Sequence, residues 1–151
     1  MQHEAAHTIN RTALSATIHC LTGCSIGEVL GMLISTSLSW SAAPSIAISI
    51  VLAFLFGYGL SMRPILKHGL GFRKAAGVAL AADTASITTM EITDNLFILI
   101  VPGAIHAGLS TLLFWWSLVV SLVVAGAVAF PVNRYLIARG KGHAVAHQYH
   151  H

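Results

Sequence analysis

His19, Cys20, Cys24 and Glu28 sit close together in a stretch that is otherwise apolar, and Asp83, Glu91 and Asp94 sit together in another. These two groups hold both cysteines and four of the five acids of the chain. Thiolate, thioether and imidazole are soft or borderline ligands that select Cu(I), Zn and similar ions. His19, Cys20, Cys24 and Met90 are therefore the candidate metal ligands, with a copper-like ion as the implied cofactor. Carboxylates suit protons and harder ions, and stacked acids inside a membrane are typical of relays. Glu28, Asp83, Ser86, Glu91 and Asp94 are the candidate ion or proton pathway. Plain readings stand beside both. Two cysteines four apart on a helix are not a paired CxxC zinc pattern, and Cys20, Cys24 and Met90 also serve as core residues. Glu28 and Asp83 also serve as hydrogen-bonding groups between helices.

Helices are what would position these groups. Residues four apart stack on one face of a helix, so Cys20, Cys24, Glu28 and Met32 form one ridge. Gly23, Gly27 and Gly31 form a second ridge beside it, low enough for a neighbouring helix to approach closely, as small residues do in membrane bundles. At 100° per residue Asp83, Met90 and Asp94 point in nearly one direction, with Ser86 and Glu91 flanking. Counted from the inner ends of the two segments, His19 and Cys20 match Asp83 in depth, and Glu28 matches Glu91. If the two stripes face each other, the pairs are His19 with Asp83 and Glu28 with Glu91.

The composition places these helices in a membrane. The chain is 56% hydrophobic and 9% charged, against about 25% charged in soluble domains. Apolar spans are read at about residues 12–34, 45–62, 75–101 and 109–130, each near the ~20 residues a bilayer requires. The third is polar over its first two-thirds and strongly apolar only at its end. Residues 1–11 are a polar lead without the apolar stretch of a signal peptide, so insertion falls to the first span. Pro131 marks a bend near the end of the fourth span, and residues 133–151 are a basic, then histidine-rich tail. Its histidines (His143, His147, His150 and His151) either gather metal or are uncommitted, and His68 and His106 fall in connections. The predicted class is all-α: four transmembrane helices in a bundle.

Orientation follows from the cations. Arg11 precedes the first span. Arg63, Lys67, Arg73 and Lys74 lie between the second and third, and Arg134, Arg139 and Lys141 follow the fourth. With four spans all eight lie on one side, which the positive-inside rule makes cytoplasmic, with both termini inside. The net charge of +3 is thereby read as topology rather than as nucleic-acid binding. The expected partners are the lipid bilayer and further copies of the chain, since so short a chain makes a thin wall. Cys20 and Cys24 are poorly spaced for a disulfide. No GxSxG, Walker A or HExxH pattern occurs, so no catalytic residue is assigned.

The segment HCLTGCSIGE (residues 19–28), the Ala-Asp-Thr-x-Ser run through Asp83, Thr84 and Ser86, and the segment following Pro131 resemble an uncharacterised bacterial family of small multi-pass membrane proteins. That family is a domain of unknown function. The resemblance covers residues 19–142 and implies that His19, Cys20, Cys24, Glu28, Asp83, Thr84 and Ser86 form the site. It departs at one point: family members carry an acid soon after the second cysteine, whereas Ile26 and Gly27 precede Glu28 here. The resemblance also implies a loose association with copper. The expectation is a bacterial inner-membrane protein that binds or transports a soft transition-metal ion between spans one and three. The alternatives are a proton or cation pathway through the carboxyls, or an accessory subunit without transport of its own.

Overall fold

A computed structural model of the chain describes residues 2–67, 69 and 71–140. The tail histidines and His68 lie outside them. Four long helices account for most of these residues: α1 (Gln2–Ser37), α2 (Ala42–Lys67), α3 (Phe72–Ile100) and α4 (Leu112–Ala138). A 3-10 turn, Ala104–His106, lies between α3 and α4. Short connections force consecutive helices to run antiparallel. Each helix packs mainly on its two neighbours in the order α1, α2, α3, α4 and back to α1, while α1 and α3 meet only across the diagonal. This is an up-down-up-down bundle, and the axis runs along that diagonal.

Three helices are long and apolar enough to cross a membrane: α1 over His7–Ser37, α2 over Ala42–Arg63 and α4 over Leu112–Ala138. Helix α3 has the length, since 29 residues at 1.5 Å each make about 43 Å, but its three acids and its threonines lower its hydropathy. Those acids turn inward. Asp83, Glu91 and Asp94 are buried, while Leu80, Ile92, Leu96, Leu99 and Ile100 are exposed.

The glycine ridge of α1 packs within the chain, against α2. A Cβ on Gly23 would lie 2.8 Å from the Gly57 Cα, one on Gly27 2.6 Å from the Ala53 Cα, and one on Gly31 2.7 Å from the Ser49 Cα. All three distances are too short for any side chain, so the helix pair can approach this closely only with glycine at each position.

The helices outrun the apolar stretches. Helix α1 already includes residues 2–11, and α2 continues past Arg63 to Lys67. Helix α4 starts at Leu112, not at 109, because the Thr111 hydroxyl accepts the Phe114 N–H at 3.3 Å and caps it. It also runs through Pro131 to Ala138, where a bend was expected to close the span. Proline removes one backbone donor and crowds the preceding turn, but membrane helices tolerate it when neighbouring groups hold the backbone. Here the next turn is anchored by Asn133.

Candidate functional site

The ridge of α1 that carries the cysteines faces the bundle axis because the glycine ridge beside it is fixed on α2. Across the axis stands the acidic stripe of α3, and α4 closes the side. Polar groups from these three helices form two clusters along the axis.

The first cluster lies toward the chain termini. Asn133 of α4 is 1% exposed, and its Nδ2 donates to Thr17 Oγ1 on α1 and to Ser86 Oγ on α3, both at 3.0 Å. The Thr17 hydroxyl passes its own proton to the Ala13 carbonyl at 2.8 Å. One amide therefore ties three helices together. Next to it the Cys20 thiol points at Asp83 Oδ1, 4.0 Å away, the long weak contact expected of a sulfur donor. Arg134 Nε donates to Asn10 Oδ1 at 2.8 Å and joins α4 to α1 one residue beyond this cluster.

The second cluster lies toward the turn between α1 and α2. The Cys24 thiol sits against the Glu91 carboxyl. The Glu28 carboxyl meets that of Asp94, and Asp94 also neighbours the Ser121 hydroxyl of α4. No carboxyl oxygen of Glu91 or Asp94 has a hydrogen bond of good geometry, and Ser121 spends its proton on the Leu118 carbonyl at 2.9 Å. Glu28 and Asp94 thus meet, with Glu91 in electrostatic reach, in an interior of low dielectric. No Lys or Arg occurs between Arg11 and Arg63 or between Lys74 and Arg134. Like charges so placed cannot all be ionised without a counter-charge, so the cluster must share a proton or hold a cation.

Between the clusters, Cys20, Cys24, Ile87 and Met90 pack with Ala53, Ala125 and Ala129 in one buried core. The two thiols and the thioether are therefore neighbours. Among the described residues, however, no group of three or more His, Cys, Asp or Glu is arranged to hold a metal ion. His19 is half-buried beside Cys20, about 100° around the helix from it. Asp83 lies beside the Cys20 thiol, and Glu28 neighbours both Asp94 and Glu91. The remaining pathway residue, Ser86, faces Asn133 instead of a carboxyl.

The second cluster is not sealed. A cavity of about 520 Å³ occupies the turn end of the bundle, and Glu28 lines it. Its walls come from α1, the turn after it, the start of α2, Asn95 of α3, the 3-10 turn with His106, and Phe114 and Ser117 of α4.

Asn133 and Ser121 were missed by the sequence reading, which placed Asn133 in the tail. A signal for both exists. Ser117, Ser121, Ala125, Ala129 and Asn133 recur every four residues in a helix otherwise made of large apolar side chains. That small and polar stripe marks the face α4 turns inward.

Helix content, apolar spans and an inward-facing polar column together define a helical-bundle membrane protein. The chain belongs to the family described as a domain of unknown function, DUF4396, which matches residues 10–142. No curated protein and no solved structure matches it.

Proposed function

We propose that this chain is a small membrane protein that carries protons, or a small cation in their place, through the buried carboxyls Glu28, Asp94 and Glu91. One observation carries the reading: among the described residues, acids of α1 and α3 come together with no Lys or Arg beside them, and one of them opens into a cavity. Buried ionisable groups in membrane segments cost about 2.5–3.5 kcal/mol each on insertion scales, so a fold that keeps three together uses them. Asp83, Cys20 and the Asn133 bridge continue the polar column toward the opposite end. In this reading α3 is the fourth span, because its acids face the axis and Ile92, Leu96 and Leu99 face lipid. All cations then lie on the cytoplasmic side of a bacterial inner membrane, with both termini inside, and the cavity faces outward.

The experiment is proton flux in liposomes of purified protein loaded with a pH-sensitive dye, driven by an imposed pH gradient and a potassium diffusion potential. Flux above that of empty liposomes supports the reading, and its absence in both gradient directions counts against it.

A soft metal ion is the second reading, favoured by the shared packing of Cys20, Cys24 and Met90. In that reading the thiols and thioether hold a copper-like ion, and Asp83 and Glu91 balance its charge. Elemental analysis of the purified protein beside a Cys20→Ser/Cys24→Ser variant tests it: stoichiometric metal lost in the variant supports it, and no metal in either removes it.

A further inference from the structure

The cavity at the turn end has a chemical bias that the carboxyl cluster alone does not explain. Three of its serines have already spent their protons. Ser35 Oγ donates to the Gly31 carbonyl at 2.8 Å, Ser45 Oγ to the Ser41 carbonyl at 2.7 Å, and Ser117 Oγ to the Leu113 carbonyl at 2.7 Å. A serine that gives its only proton to its own helix offers nothing but lone pairs on its other side. Asn95 keeps one N–H in use, its Nδ2 donating to the Glu91 carbonyl at 2.8 Å, while its oxygen can still accept. Ser35, Ser45, Ser117, Asn95 and the carboxylate of Glu28 all line the cavity. Trp40, on the turn, adds an aromatic ring to the same wall. His106 is the other ionisable residue there, and among the described lining residues there is no Lys or Arg.

Such a wall is rich in hydrogen-bond acceptors, with the Glu28 carboxyl as its acid. Its complement is a ligand that donates hydrogen bonds and carries positive charge. A bare ion is too small, because hard cations take oxygen ligands at about 2.3–2.6 Å and this space is about 520 Å³, within the range of organic-ligand pockets. Behind Glu28, Asp94 is 3% exposed and neither of its oxygens accepts a well-formed hydrogen bond, so the floor of the cavity lacks positive charge that an occupant could supply. An indole beside the site favours a cationic headgroup over a neutral one.

We propose that this cavity is a binding site for a small organic ammonium ion, whose N–H donors meet Glu28 and the serine and asparagine oxygens while its apolar part lies along Trp40 and Phe114. The proposal rests on reading Glu28 as an acid reached from the cavity. It adds to proton carriage the class of solute that exchanges with the shared proton: either species supplies the positive charge the carboxyls need.

The test uses titration calorimetry on the full-length protein in detergent, with three probes of nearly equal shape: phenethylammonium, 2-phenylethanol and phenylacetate. The ammonium is expected to bind at least tenfold more tightly than the alcohol, and phenylacetate not at all. Glu28→Gln should weaken the ammonium at least tenfold. Ser45→Val, on the wall away from the carboxyl cluster, should weaken it several-fold and keeps the test open if Glu28→Gln does not fold. Equal binding of ammonium and alcohol, binding of phenylacetate, no binding of any probe, or unchanged affinity in both variants overturns the proposal. Proton flux measured on the same preparations separates the two readings. Flux without ammonium binding overturns the ammonium site and leaves proton carriage standing. Ammonium binding without flux upholds the site and removes proton carriage.

Discussion

Asn133 shows how much one side chain can hold in this interior. Its amide donates to Thr17 of α1 and Ser86 of α3. Hydrogen bonds between membrane helices average about 0.6 kcal/mol each in double-mutant cycles, so Asn133→Leu should cost about 1–2 kcal/mol. Thermal unfolding in detergent checks this, with the Thr17→Val/Asn133→Leu pair showing less than additive loss. Asn133→Asp should cost more, because a carboxylate would replace the two donated bonds with an unpaired charge. The placement of the candidate residues was legible from their spacing: the ridge of Cys20, Cys24 and Glu28 and the stripe of Asp83, Met90 and Asp94 do face the same axis. What spacing left open was pairing. Glu28 neighbours Asp94 as well as Glu91, because residues three apart on α3 share a face that depth matching alone does not count.

Among the helices, α1 and α2 form the rigid half of the bundle. Gly27 lies against the backbone of Ala53, so Gly27→Val forces the helices apart. Overpacking typically costs about 1–3 kcal/mol, and contact with backbone places this substitution at the upper end. Gly59→Ala, on the same helix as Ala53, meets nothing within 4 Å and should leave stability within about 0.5 kcal/mol of wild type. Denaturation of both variants in mixed micelles checks the contrast. The glycine ridge was legible as a packing surface, but its partner was not. Whether α1 offers it to α2, α4 or a second copy depends on the order of helices around the axis, which no local pattern encodes. The length of α4 was misread for a physical reason. Pro131 disfavours helix in isolation, and the Asn133 bridge that carries the helix past it exists only in the assembled bundle.

For the whole molecule, the unusual helix is α3. It is less apolar than the spans of the other three, yet Ile92, Leu96, Leu99 and Ile100 of its second half are exposed. A bundle can hide a polar stripe on the diagonal that lipid would reject, so topology becomes the direct check on α3 as a span. Single cysteines at Ser39 and Ser110, in a background of Cys20→Ser and Cys24→Ser, should both react with a membrane-impermeant maleimide added outside, while one at Gly140 should not. Labelling of Gly140→Cys and Ser39→Cys from the same side would mean an odd number of crossings. The cavity was not legible in the sequence at all. Its walls come from a turn, a 3-10 segment and the ends of all four helices, whose approach is set by the fold.

The account stands or falls on whether the carboxyls or the thiols carry the activity. The measurement is gradient-driven proton flux in dye-loaded liposomes for wild type, Glu28→Gln, Asp94→Asn and Cys20→Ser/Cys24→Ser, each first shown to be folded. The carboxyl substitutions should each cut flux at least tenfold, because each removes one site from a chain of shared protons, while the double serine variant keeps at least half. Full flux in Glu28→Gln and Asp94→Asn, with loss in the cysteine variant, would contradict it.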